Sequence, residues 1–142
     1  MRRKKSIELK HLIYVSQRGD IDHEVIEAIL KSSRKNNIKT EITGALIYGD
    51  NLYLQFLEGP VDSIEKTFKK IKEDRRHTEV NVLKNSVTDR RLFASWTMRD
   101  DSLANWMWSN QDIKTSTIRN LKPEQAYNVF SNLSRELDQF ID

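Results

Sequence analysis

Side chains able to do chemistry are few in this sequence, and those that stand out are neutral. Gln55 interrupts the apolar run 52–57 (LYLQFL), which Glu58-Gly59-Pro60 closes. Its amide carries N–H donors and acceptor lone pairs that all need partners if the run is buried. Tyr14 stands in a second apolar run, LIYVS at 12–16, and Trp96 and Met98 in a third, RLFASWTM at 91–98. Asn36 and Asn37 add a neutral polar pair. The chain has no cysteine in its 142 residues, which excludes disulfides, thiolate metal sites and a cysteine nucleophile. Its three histidines are scattered without the spacing of metal ligands. Neither a nucleophile–base arrangement nor a glycine-rich phosphate loop is visible. Hydrogen bonding by neutral groups remains, and covalent or redox turnover is not expected.

The elements that must position these groups alternate along the chain. Residues 8–16 read as a strand, and 22–35 as a helix with Val25, Ile26, Ile29 and Leu30 on one stripe, after Asp20 and Asp22, which can cap it. The run 42–59 splits at Gly49-Asp50-Asn51 into a hairpin. A second helix follows, with Val61, Ile64, Phe68 and Ile71 at helical spacing and Pro60 near its start. Residues 79–87 and 92–99 read as two further strands. The order βαββαββ suits an α+β, ferredoxin-like sandwich with two helices on one face of a mixed sheet.

Strand alternation puts Gln55 on the face of Tyr53 and Leu57, and Leu52, Leu54 and Phe56 on the other. Both faces of the hairpin are therefore apolar, and the two helices can cover only one. From 102 onward the strand pattern stops. A helix starting at Pro123 carries Ala126, Val129, Phe130, Leu133, Leu137 and Ile141 on one stripe. This carboxy-terminal segment, or a partner subunit, is expected to cover the second face. Trp96 and Met98, two residues apart, share a face of the fifth strand, which leads into it.

Charge narrows the class. Lysine plus arginine number 24 against 21 acidic residues, and the cluster Arg2-Arg3-Lys4-Lys5 accounts for the excess. The remainder is nearly neutral, so no nucleic-acid partner is expected. No apolar run approaches the roughly 18 residues of a membrane span, and the basic start is not followed by the apolar region of a signal peptide. The sequence reads as a soluble cytoplasmic protein.

Taken singly, each residue has an ordinary reading. Gln55 is then a core glutamine bonded to nearby backbone, Tyr14 a packed aromatic, and Asn36-Asn37 a turn ending the first helix. As an ordered set, LIYVS (12–16), Asn36-Asn37, ITGALIY (42–48), LQFLEG (54–59), DRRH (74–77) and RLFASWTM (91–98) resemble the BLUF domain, a blue-light sensor that uses a flavin. ITG or DRRH alone would be weak; Asn37 eighteen positions before Gln55, with Trp96 two before Met98, is specific. The resemblance covers about residues 8–100, marking 1–100 as a photosensor domain and 101–142 as a helical extension. That extension is similar to the tail of short stand-alone BLUF proteins, which form homo-oligomers.

The resemblance implies an FAD (or FMN) ring held between the two core helices, near the sheet. Tyr14 then matches the tyrosine that gives an electron to the excited flavin, and Gln55 the glutamine bridging that tyrosine and the ring. A rearranged glutamine network, by rotation, tautomerisation or both, red-shifts the flavin and recovers in darkness. Asn37 matches the asparagine on the ring's C4=O/N3 edge, and Asn36 its neighbour toward the C2 carbonyl. Asp74, Arg76 and His77 of DRRH match residues near the ring and ribityl chain, while a charged helix end is the plain alternative for Asp74 and Arg76. Trp96 and Met98 match the strand whose Trp-in or Met-in arrangement surrounds the glutamine; both are also ordinary core residues. Ile29, Ser33 and Leu46 fall where the cavity is expected, though periodicity does not separate lining from core. Lys69, Lys70 and Lys72 are available to phosphates or simply solvated.

Two other classes compete. An acylphosphatase-like hydrolase needs a glycine-rich anion loop with an arginine after the first strand, and VSQRGD (15–20) offers one Gly and one Arg. A regulatory module binding some ligand without photochemistry is the second. Under the BLUF reading, with no cyclase or phosphodiesterase domain visible, the output is expected through oligomer state or a separate signalling protein.

Overall fold

The computed structural model describes residues 8–17, 23–48, 52–74, 78–93, 99–102 and 119–139. Strand β1 (Leu9–Gln17) leads to helix α1 (His23–Thr40), then to the hairpin β2 (Thr43–Tyr48) and β3 (Leu52–Pro60). Helix α2 (Val61–Glu73) follows, then β4 (Thr78–Thr88), β5 (Arg99–Ser102) and α3 (Pro123–Gln139). The sheet order is β4-β1-β3-β2-β5. The first four strands pair antiparallel, and β5 joins the outer side of β2 in parallel. This is the expected ferredoxin-like α+β sheet with a parallel edge strand. Each helical crossover skips one strand, which leaves β1 and β3 side by side in its middle.

Strand alternation divides the core. On one face Leu12 and Tyr14 of β1, Leu46 of β2 and Tyr53 and Leu57 of β3 are buried with Leu30 of α1 and Ile64 of α2. On the other, Ile13 and Val15, Ala45 and Ile47, and Leu52, Leu54 and Phe56 are buried with Ala126, Val129, Phe130 and Leu133 of α3. Apolar parity on both sides of the hairpin thus has the physical cause read from the sequence: α3 covers the second face. Its amino end is fixed locally. Pro123, which has no N–H to leave unbonded, occupies the first helical position. Gln125 turns its Oε1 back to accept the Lys122 N–H at 2.8 Å, one half of a capping box.

Two expectations need correction. Asn36 and Asn37 do not end α1; the helix continues to Thr40. It stops because Glu41 takes a left-handed conformation at φ 60 and the Ile42 N–H bonds back to the Asn37 carbonyl at 3.1 Å, a Schellman closure. Glutamate gives no sequence signal for that turn. Nor does the fifth strand begin at Leu92. Leu92 and Phe93 lie outside any strand, and their amides are bound by the Glu58 carboxylate at 2.6 and 2.7 Å. Phe93 is apolar because it is buried in the core, whereas β5 is the charged stretch Arg99–Ser102, held at the sheet edge by backbone pairing.

The hairpin leaves no room for a side chain at Gly44, where an added Cβ would come within 2.0 Å of the Phe56 carbonyl oxygen. Gly44→Ala is therefore expected to lower stability by about 1–3 kcal/mol through forced backbone shifts. Urea denaturation measures this, and an unchanged midpoint would contradict the close approach.

Candidate functional site

The sheet register builds the site. Gln55 sits in the middle of three neighbouring strands, opposite Tyr14 of β1 on one side and Leu46 of β2 on the other. A break in the β1–β4 register falls between Ile13 and Tyr14, so the ladder is irregular at the tyrosine itself. All three side chains are buried, Tyr14 at 0 %, Leu46 at 1 % and Gln55 at 3 % exposure. The Tyr14 hydroxyl donates a hydrogen bond to Gln55 Oε1. With Oε1 engaged by the phenol, the amide presents its N–H donors on its other side. Across the ring face of Tyr14 lies Phe68 of α2, with centroids 5.4 Å apart.

The electrostatics favour neutral groups. Burial, with Tyr53 and Asp74 adding to it, pushes the Tyr14 phenol well above its ordinary value of 10.0. Tyr14 is therefore a protonated donor throughout the physiological range. Asn37, buried at 3 % exposure near the end of α1, is a third neutral hydrogen-bonding group, carried by a helix of the Tyr14 face. Asn36 is exposed, since successive residues of a helix do not share a face. Asp74 caps α2, its N–H bonding to the Ile71 carbonyl at 3.1 Å.

The register places Tyr14, Gln55 and Leu46 side by side on three adjacent strands. Ile29 and Ser33 belong to α1, but their side chains lie outside the described residues, as do Arg76, His77, Trp96 and Met98. Lys69 and Lys72 border an open cleft of about 340 Å³ floored by Leu12, Ile64 and Phe68. The sequence reading missed Glu58 and His11, both buried on the α3 face. Parity offered the one signal, since Glu58 shares a face with Phe56 and Leu54 although it is charged.

A family model described as sensors of blue light using FAD, BLUF, matches residues 9–99. The chain belongs to the BLUF family. A photoactivated adenylate cyclase subunit beta of Euglena longa is 34 % identical over 92 residues, covering 63 % of this chain and 11 % of that protein. The chain thus spans about a tenth of the length of the curated relatives it first matches. The dark-state structure of BlrB, a BLUF protein, aligns with a TM-score of 0.79 and 26 % identity over 92 % of this chain and 98 % of its own. The photo-activated state of BlsA aligns with a TM-score of 0.67 and 27 % identity, covering 88 % and 93 %.

The donor set fits the family's flavin. A phenol and two carboxamides, all neutral and buried, have the chemistry to suit the carbonyl and nitrogen edges of an uncharged oxidised ring, and Leu46 and Phe68 belong to the apolar cluster on the Tyr14 face. Among the described residues no cluster of candidate metal ligands occurs, and no helix is long and apolar enough to cross a membrane.

Raising the Tyr14 pKa has a consequence for stability. Its contribution is complete below pH 10.0, where the phenol is protonated in both folded and unfolded chains. Above that the unfolded chain alone loses the proton, so stability falls as pH rises, by up to about 1.4 kcal/mol per pH unit for this one group. Tyr14→Phe is expected to lose stability less steeply than the wild type above pH 10. Denaturation curves across the alkaline range check this, and parallel slopes would contradict it.

Proposed function

We propose that this chain is a blue-light receptor that holds FAD on the α1/α2 side of the sheet and switches through Tyr14 and Gln55. The observation that carries the reading is the hydrogen bond from the Tyr14 hydroxyl to Gln55 Oε1, buried between apolar residues in a chain of the BLUF family. When bound, the flavin supplies a blue-absorbing group whose excited state accepts an electron and whose ring edge offers hydrogen-bonding sites.

The chain's own residues do the rest. Tyr14 is oxidisable and kept protonated, and Gln55 Oε1 already receives its O–H, so an electron and this proton can leave the phenol together. Gln55 turns a transient event into a lasting one. Its amide offers a donor on one side and an acceptor on the other, so reversing it exchanges the bonds it makes without moving charge. A carboxylate, which only accepts, could not. In a dry site each unmade bond costs about 1–3 kcal/mol, so only arrangements in which the amide is fully bonded are populated. Asn37 holds the ring edge as a neutral partner and favours the oxidised flavin. Ile29, Ser33, Asn36, Leu46, Asp74, Arg76, His77 and Met98 complete the contacts, and Trp96 or Met98 flanks the glutamine. The protein acts in the cytoplasm as a sensor, with no turnover of its own, passing its signal by a change of oligomer or by a separate signalling protein.

Two outcomes test the assignment. Gln55→Leu is expected to retain yellow, bound FAD while losing the reversible red-shifted photoproduct; a variant that still shifts and recovers would remove Gln55 from the switch. Asn37→Ala is expected to weaken FAD binding by roughly 1–3 kcal/mol, about 5- to 150-fold in Kd, by leaving the ring edge unbonded. Equilibrium titration of the apoprotein measures that change, and an unaltered Kd would make Asn37 a helix residue and nothing more.

A further inference from the structure

Glu58 is fully buried and lies on the sheet face opposite Tyr14 and Gln55, the face of Leu54 and Phe56. It follows Gln55 by three residues on β3, so the two side chains leave the strand on opposite sides. Its Oε1 accepts the Leu92 N–H at 2.6 Å, and its Oε2 accepts the Phe93 N–H at 2.7 Å and the Thr43 hydroxyl at 2.7 Å. His11 Nε2 donates to the Arg90 carbonyl at 2.9 Å and stands 3.5 Å from Glu58 Oε1. Arg91 closes the network from the other end. One of its nitrogens donates to Thr43 Oγ1 at 2.9 Å and to the Glu58 carbonyl at 3.4 Å, and the other donates to the Glu41 carbonyl at 2.8 Å.

These bonds tie together three places that matter to the switch. Glu41 is the left-handed residue that closes α1, four positions after Asn37. Thr43 and Glu58 sit opposite one another on β2 and β3, the strands that carry Leu46 and Gln55. Residues 90–93 are the link out of β4. From there the packing reaches α3: the Phe93 ring meets Phe56 at 5.6 Å and Phe130 at 6.5 Å, and His11 stacks on Tyr127 at 5.6 Å. A carboxyl group accepting two successive backbone N–H groups fixes the direction of both. An apolar residue would fill the space without that constraint.

We propose that Glu58 is a positioning residue that, with Arg91 and Thr43, couples the hydrogen-bond state of Gln55 to α3. The proposal rests on the photoreceptor reading given above. A shift of β3 or of the α1 closing turn on the flavin side moves the acceptors of this network, and residues 91–93 follow because their amides and the Arg91 guanidinium are bonded to it. Phe93 then carries the displacement to Phe130.

The test uses the full chain loaded with FAD, comparing wild type, Glu58→Gln and Thr43→Val. Absorbance reads the flavin side, and amide hydrogen exchange of residues 119–139 in dark and light reads α3. The wild type is expected to show both the red shift and a light-dependent change of exchange in α3. Glu58→Gln replaces an acceptor oxygen by an N–H donor facing other donors; it should keep the red shift while the light–dark exchange difference shrinks by about fivefold or more. A purely structural role would change the exchange equally in dark and light. Thr43→Val, which preserves shape and removes the hydroxyl bridge, should give a smaller loss in the same direction and decides the matter if Glu58→Gln does not fold. Undiminished light–dark differences in these variants, or a wild type that shifts without any response in α3, overturn the coupling and leave the photoreceptor reading standing. A wild type that binds FAD and shows no red shift overturns both.

Discussion

The hydrogen bond from Tyr14 to Gln55 joins residues that already face one another in the β1–β3 pairing, so the sheet register sets its geometry. A one-residue slip would put the phenol and the amide on opposite faces. Register is in turn pinned by burial on both sides: Leu12, Tyr14, Tyr53 and Leu57 under the first two helices, Ile13, Val15, Leu54 and Phe56 under the third. The Tyr14–Gln55 pair therefore sits in the centre of a sheet packed on both faces, as the proposed switch requires. Such a place suits a device whose moving part is one amide group.

The same two-sided burial explains how a local change at the amide can be felt elsewhere. A sheet packed on one face and wet on the other would let solvent absorb a small displacement. Here both faces are packed, and close-packed interiors transmit strain. The polar contacts lie at one end of β2 and β3, where Thr43, Glu58 and Arg91 are linked, while aromatic rings of Phe56, Phe93 and Phe130 fill the space beneath α3. Family membership fixes the sensor class. The chain spans about a tenth of the Euglena longa cyclase subunit it resembles, so that protein's activity is its own.

Much of this was legible in the sequence because burial leaves a periodic trace. The opposite parities of Leu46 and Ile47, or of Leu57 and Phe56, called for cover on both faces, and Pro123 marked where the covering helix begins. Tyr14 and Gln55 stood out as polar groups inside apolar strands. What escaped depends on backbone conformation and long-range bonds that residue types do not encode. Glu41 closes α1 in a left-handed turn that glycine or asparagine would have announced. Phe93 looked like a strand residue because its side chain is buried, whereas its amide is bonded to Glu58, 35 positions away. The charged edge strand Arg99–Ser102 carries no apolar alternation, since its place is secured by backbone pairing.

The central claim is that one neutral side-chain amide, held by a buried phenol, changes its hydrogen bonds when the bound flavin absorbs light. Light-minus-dark infrared difference spectroscopy of the FAD-loaded protein, with glutamine isotopically labelled at its side-chain amide, addresses it most directly. The account predicts a label-sensitive side-chain carbonyl band that shifts on illumination, recovers in darkness and disappears in Gln55→Leu. A difference spectrum containing flavin bands but no label-sensitive glutamine band would contradict it.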